Sequence, residues 1–460
     1  MPKVGGNGLD AARSAAHASH GFTRRGIMRT YAFHRERPEA TWIVFGLILA
    51  IASAVPWAAS PAAHAQAKPA ELKIGIVSFL SGPATVFGVP SKNAAEWLIE
   101  KYNREGGIGG VRIRPVYVDE AGGADKQVSE FRRLALDAKV DLVIGYISSA
   151  DCLAVAPVAE EMRLLTVLFD CGTNRIFEDR KYNYVFRTKA HQVLDSVAAA
   201  KYILALKPGL KTIAGVNQDY AWGRDSWDTF KRATLKLKPD VKVEAELFPK
   251  LYAGEYTAEI TRLLAAKPDV IHSSFWNGDL LAFTKQAAPR GLFSQSTVIF
   301  SAGEHMLQDL GKDVPEGVVI GARGDHWFLH NSNDPLHKEF VEGYRAKYGR
   351  YPIYPSYHMY QAVAGVKAAY EKAIKDGRGA WPKVDVVIKA FEGIEYRVPP
   401  GRTMTVRGDH NGVEPAIMGM TKHTPQYPFA ILEKITVFPA AEVNPPLGVK
   451  TNDWIDSWKR

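Results

Sequence analysis

Short runs of β-branched and aliphatic residues alternate with amphipathic helical stretches from residue 72 to about 320, and the alternation runs its course twice. Residues 72–79, 112–118, 140–145 and 164–169 read as strands, with helices over about 90–104, 124–138 and 151–162 between them. Strands separated by whole helices need crossover connections, so the pattern predicts a parallel sheet covered by helices on both faces. A second series begins after Arg187. It has strands at 211–216, 241–248, 269–274, 297–301 and near 317–320, and helices at 191–206, 222–236, 255–266 and 278–289. Two long helices, about 335–348 and 356–376, follow without a strand between them, and beyond Gly393 the chain becomes a series of Pro/Gly-rich turns and short β runs such as 403–406 and 429–437. The expected fold class is α/β, with two Rossmann-like lobes of parallel sheet joined by a hinge. Residues 68–189 plus about 321–395 would form the first lobe, 190–320 plus about 396–440 the second, and 441–460 a C-terminal tail.

In open parallel sheets, ligands sit where loops leave the carboxyl ends of the strands. Two such edges facing each other make a cleft that a hinge can close. That geometry serves a binding protein and a two-domain enzyme alike. The N-terminus narrows the setting. A basic stretch (Arg24, Arg25, Arg29, Arg35, Arg37) precedes an apolar run whose core, Trp42 to Val55, is 14 residues, and A-x-A sequences follow at 63–65 and 65–67. An apolar core of that length suits a removable signal peptide over 1–67 better than a spanning helix of roughly 20 residues. Export to the periplasm is expected. The formal charge of +9 is partly in that leader, which holds seven Lys/Arg and three Asp/Glu; the remaining charges are mixed in sign along the helices, so no nucleic-acid partner is expected. The two cysteines, Cys152 and Cys171, fall near the same end of one sheet, and the sequence leaves open a disulfide or a pair of buried thiols.

Motifs for chemistry are sparse. No phosphate loop, G-x-S-x-G elbow or H-E-x-x-H sequence is present, and the glycines at 106–110 precede a strand, which makes them a helix stop and not a dinucleotide loop. His326 and His330 stand four apart with His337 nearby, but Asn331-Ser332-Asn333 and Pro335 interrupt them and no carboxylate completes a ligand set, so no metal and no cofactor is expected. The strand ends instead carry short polar segments. Ser148-Ser149-Ala150 follows strand 140–145 and opens a helix, where hydroxyls and N–H groups can hold a carboxylate or simply cap the helix. Asp170-Cys171-Gly172-Thr173 follows the next strand. Aromatic residues gather at other strand ends: Phe87, Tyr220, Trp222, Phe275, Trp276 and Tyr357, enough for an apolar-walled pocket. Glu304 follows strand 297–301 and is the candidate counter-charge for a cationic group.

Taken in order, Leu72-Lys73-Ile74-Gly75-Ile76, Ser81-Gly82-Pro83, Phe87-Gly88, Gly106-Gly107-Ile108, Asp119-Glu120, Val143-Ile144-Gly145, Ala221-Trp222-Gly223 and Gly303-Glu304 resemble the leucine/isoleucine/valine-binding protein family, the type I periplasmic receptors of ABC importers. The resemblance covers roughly residues 70–375, and the tail around Thr403-Met404-Thr405-Val406 and Asp409-His410 looks more like the family's amide- and urea-binding branch. It implies that Ser149 binds a ligand carboxylate, that Glu304 pairs with an α-ammonium, and that Phe87, Trp222 and Phe275 or Trp276 form aromatic walls. Asp170 and Gly172 depart from it, standing where the family has an alanine and a ligand-binding threonine, with Thr173 adjoining. The expected function is the substrate-binding component of an importer for branched-chain amino acids or a related small amphiphile. It would work as a monomer that closes two lobes on one small-molecule ligand and docks on an inner-membrane ABC permease. An aromatic acid, amide or urea-like ligand is the alternative. A sensor subunit of the same fold and an exported two-domain enzyme are the competing classes, with no enzyme activity expected.

Overall fold

The two halves are built on one strand order. In the computed structural model, which describes residues 65–324 and 333–459, the first sheet runs Arg112–Asp119, Glu71–Ser78, Leu142–Gly145, Thr166–Leu168, Val185–Arg187, all parallel. The second begins Lys242–Leu247, Thr212–Val216, Val270–Ser273, Thr297–Phe300, Val319–Gly321, again parallel and again in the chain order 2-1-3-4-5. Two further strands, Ala416–Lys422 and Ile431–Phe438, add to it antiparallel and cover the edge that Val319–Gly321 would otherwise expose. In each sheet the order reverses beside the first strand, and the loops leaving on either side of that point open a crevice.

The inner strands are fully buried, Leu142–Gly145 and Val270–Ser273 among them, as a parallel sheet between two helical layers requires. Helix Thr85–Arg104 starts five residues earlier than expected and carries Pro90 inside; the Pro90 carbonyl accepts from the Tyr344 hydroxyl at 3.2 Å. Helices Pro335–Tyr348 and Tyr354–Asp376 pack on it through Trp97, Phe340 and Tyr360, with ring centroids 5.0–5.5 Å apart. The three-residue strand Val185–Arg187 escaped the sequence reading because so short a run carries no period of its own.

One boundary moves. A small antiparallel sheet, Glu395–Val398, Arg402–Val406 and Gly412–Val413, buries Tyr396, Val398, Met404 and Val406 in the same core as the first sheet and helix Tyr354–Asp376. Residues 395–413 thus go with the first lobe, not with the second as expected, and the chain joins the second sheet only at Ala416. It crosses between lobes three times: at 188–191, after Gly321, and at 414–415. Residues 1–64 of the expected leader over 1–67 and the pair His326/His330 lie outside the described residues. No helix among the described residues is long and apolar enough to cross a membrane.

Candidate functional site

The carboxyl edges of the two sheets face each other across a narrow cavity. From the first lobe, the loop after Leu142–Gly145 brings Ile147 and Ser149 to its wall, and the loop after Thr166–Leu168 brings Asp170 and Gly172. The first of these loops is held from the neighbouring strand end: Glu120 Oε1 accepts the N–H groups of Ile147 (2.8 Å) and Ser148 (2.7 Å). Burial and the nearby Asp151 push the Glu120 carboxyl up while those hydrogen bonds pull it down. From the second lobe, Tyr220, Trp222 and Trp276 come from the loops on either side of its reversal point. Their polar ends are turned away and satisfied: Trp222 Nε1 donates to the Ser274 carbonyl and Trp276 Nε1 to the Tyr220 hydroxyl, each at 2.8 Å. Phe87 and Tyr354 close the wall, Phe87 lying edge-on to Trp276 at 5.3 Å and to Tyr354 at 5.4 Å.

Arg323 supplies the charge. It follows Val319–Gly321 on the second crossing, is 4% exposed, and stacks its guanidinium over Trp222 at 4.7 Å. Its Nη1 donates to Asp170 Oδ1 of the first lobe and its Nε to Asp195 Oδ2 of the second, both at 2.8 Å. Nη2 is buried with no acceptor. Behind this pair stand Lys189, whose Nζ lies 3.4 Å from Asp170 without a hydrogen bond to it, and His358, whose Nδ1 lies 3.1 Å from Asp170. Glu414 sits 3.4 Å from His358 Nε2 and 3.0 Å from Arg402. Burial raises the Asp170 carboxyl, but His358, Lys189 and Arg323 outweigh it and hold the pKa at about 2. Burial lowers Lys189 to about 8 and raises Asp195 to about 6, and Asp170 and Glu414 lift His358 above its ordinary value in spite of its burial. With His358 protonated, four cations (Arg323, Lys189, Arg402, His358) meet three carboxylates (Asp170, Asp195, Glu414). In that protonation state the cations exceed the carboxylates by one charge.

The lobes are shut. Thr173 Oγ1 donates to Asp225 across the cleft at 2.6 Å, Arg350 pairs with Asp309 at 2.9 Å, and Gln308 and Tyr351 exchange hydrogen bonds at 3.2 Å. The remaining cavity is about 20 Å³, room for roughly one water. A solute therefore enters only as the lobes part.

Of the residues that the sequence singled out, Phe87, Ser149, Asp170, Gly172, Tyr220, Trp222 and Trp276 line the cavity. Ser148 instead caps helix Ser149–Met162, accepting from the Asp151 N–H, and Ala150 faces outward on its first turn. Thr173 is taken up by Asp225, and its N–H by Ser149. Phe275 packs in the second core against Tyr256 and Phe283, and Tyr357 in the first against Phe340, its hydroxyl 2.8 Å from His337. Glu304 lies behind Tyr354, accepting that residue's N–H at 2.9 Å, and does not line the cavity. Cys152 and Cys171 are both buried free thiols, and no disulfide joins them. They share an apolar cluster, and burial pushes the Cys152 thiol up, as does its contact with Cys171. Among the described residues no group of His, Cys, Asp and Glu gathers as a metal site.

Sequence reasoning did not single out Arg323, Lys189, Asp195, His358 or Glu414. The first was within reach, since Gly321-Ala322-Arg323 ends the fifth strand of its sheet and the strand-end rule applies to it as much as to Ser149.

Two lobes with matched strand order, joined by three crossings over an aromatic cavity, form the type I periplasmic binding protein fold. The chain belongs to the periplasmic binding protein family, whose model matches residues 71–424, and within it to the leucine/isoleucine/valine-binding type. It is similar to the leucine-specific-binding protein of Salmonella typhimurium, 26% identical over 281 residues that cover 60% of this chain and 72% of the relative. It is also similar to Leu/Ile/Val-binding protein homolog 4 of Brucella melitensis, 25% identical over 369 residues that cover 78% and 85%. Its fold matches the ABC-transporter solute binding protein of Rhodopseudomonas palustris BisB5 in complex with 3,4-dihydroxybenzoic acid, with a TM-score of 0.70, 24% identity, and coverage of 82% of this chain and 99% of that one. The chain is thus a substrate-binding protein of the ABC-transporter family, whose members bind small molecules and work with ABC permeases.

Proposed function

We propose that this chain is the exported, monomeric receptor of an ABC importer for a small aromatic carboxylate, and that it binds without turning its ligand over. One observation carries the reading: Arg323 Nη2 is a buried cationic donor without an acceptor, on the wall of a cavity otherwise framed by aromatic rings. A ligand carboxylate would accept from Nη2 and from the Ser149 hydroxyl, while its ring lies among Phe87, Trp222, Trp276 and Tyr354. The surplus positive charge of the cluster favours an anion. A zwitterionic amino acid would also need an acceptor for its ammonium; Asp170 Oδ2, on the carboxylate among the described lining residues, accepts no hydrogen bond, but the charge of that carboxylate is already offset by Arg323, Lys189 and His358. The dihydroxybenzoate complex of the similar fold supports the same class of ligand.

Thermal melting of the mature protein against a panel tests this. Benzoate, 4-hydroxybenzoate and 3,4-dihydroxybenzoate are set against leucine, isoleucine, valine, phenylalanine, urea and acetamide. Ligand at 100 times its Kd stabilises the native state by about 2.7 kcal/mol. The benzoates are expected to raise the melting temperature and leucine is not; the reverse pattern would return the site to branched-chain amino acids.

Gly172 offers a second check. Its missing side chain is what lets the Trp222 ring approach, because a Cβ there would stand 2.3 Å from Trp222 Cε3. Gly172→Ala is expected to push the ring off the wall and weaken benzoate binding by about tenfold, given overpacking costs of about 1–3 kcal/mol. Calorimetry reads the loss, and an unchanged Kd would place the ligand elsewhere.

A further inference from the structure

Each of the three crossings contributes one buried charged side chain to the cluster behind the cavity wall: Lys189 from the first, Arg323 from the second, Glu414 from the third. Asp195 joins it from the first turn of helix Gln192–Leu206 in the second lobe, its Oδ2 on the Nε of the same guanidinium whose Nη2 faces no acceptor. A carboxylate received by Nη2 therefore arrives one guanidinium's width from Asp195, in surroundings where little water screens the two negative charges. On the anionic reading above, we propose that solute binding takes up a proton and that Asp195 receives it.

The other carboxylates of the cluster are poorly placed to do so. Asp170 is held low by three cationic neighbours, and Glu414 by His358 and Arg402 against its burial. Asp195 has Arg323 as its one direct charged partner, with Lys189 farther off and Glu414 opposing, and its burial already brings it to about 6. The remaining groups packed around it are neutral. Helix Ala221–Leu237 presents the Ser226 carbonyl and Thr229 to Asp195's own helix, and His191, at that helix's N-cap, is kept uncharged first by burial and then by Arg187, Arg407, Lys189 and Arg323. The one bond formed is the O–H on the Asp195 carboxyl, and the bond broken is that of the proton to its donor in solvent. The solute remains a carboxylate, the proton comes from solvent, and the buried charge is the same before and after. Asp195 is a positioning residue: it holds Arg323 and absorbs the charge that the ligand brings.

The sign follows from linkage. A new negative charge raises the Asp195 pKa, the bound state carries more protons than the free one, and affinity rises as pH falls. The expected gain is about 2–5-fold in Kd per pH unit between roughly 7.5 and 6. Lys189, at about 8, contributes in the same direction only at higher pH.

Calorimetric titration of benzoate at pH 6.5 in PIPES and in imidazole, whose ionisation heats differ widely, reads the linkage directly. The apparent enthalpies should differ by an amount that corresponds to about 0.3–0.7 proton taken up. Asp195→Asn should bind with buffer-independent heat at this pH, and Asp195→Glu should restore the dependence. Zero uptake or proton release in the natural protein overturns the proposal, as does undiminished uptake in a folded Asp195→Asn. The natural protein decides even where the Asn variant does not fold. Absence of any benzoate heat defeats the anionic reading itself, an outcome separate from binding without uptake.

Discussion

Arg323→Leu is expected to weaken benzoate binding by at least about 100-fold and to cost about 3–5 kcal/mol of stability. The first figure follows from a charge-assisted hydrogen bond of about 1.5–3 kcal/mol lost together with the local surplus of positive charge. The second arises because Asp170 and Asp195 would each lose a 2.8 Å partner while remaining buried, and an uncompensated buried carboxylate is among the most expensive defects a fold can carry. Arg323→Lys separates the two effects. A lysine keeps the charge but cannot reach Asp170, Asp195 and a ligand from three nitrogens at once, so it should recover part of the stability and little of the affinity. Urea unfolding and calorimetry on the same samples measure both. Full benzoate affinity in a folded Arg323→Leu would remove the anion site from this wall.

Glu414→Ala is expected to lower stability by a similar amount, about 3–5 kcal/mol, while acting on affinity only through the hinge. Glu414 is fully buried on the third crossing, accepts the Ala190 N–H from the first at 3.1 Å, and faces His358 and Arg402. The second crossing packs on it too. Gly324, at a φ of +85°, lies so close that a Cβ would stand 2.4 Å from Glu414 Oε2. Removing the carboxylate thus leaves two cationic side chains and one N–H without it and opens a gap where all three crossings meet. Glu414→Gln preserves the shape and should cost less. Urea denaturation midpoints of the two variants test the ranking, and equal midpoints would show that charge, not packing, sets the effect.

The architecture was legible because it rests on periodicity. Runs such as Leu142–Gly145 and Val319–Gly321 are apolar throughout, the helices between them are amphipathic, and the expected ranges agree with the strands and helices to within a few residues along most of the chain. Half of the cavity wall was legible for a related reason: Ser149, Asp170 and Gly172 immediately follow strands, and position after a strand is what a parallel sheet converts into position at a crevice. What the sequence could not show is which residues meet across the hinge. Lys189, Arg323 and Glu414 are far apart in the chain, and although Arg323 follows a strand, only the three crossings bring the three together. The placement of Glu304 reflects the same limit. It follows its strand as expected, but the 3₁₀ turn Glu304–Met306 sets it behind Tyr354 and leaves the wall to the ring.

Because Asp170 belongs to one lobe, Asp195 to the other, and the guanidinium that neutralises both to the chain between them, neither half is electrically complete alone. A fragment severed at the crossings would carry a stranded carboxylate in its interior. The shared guanidinium is therefore expected to couple the unfolding of one lobe to that of the other.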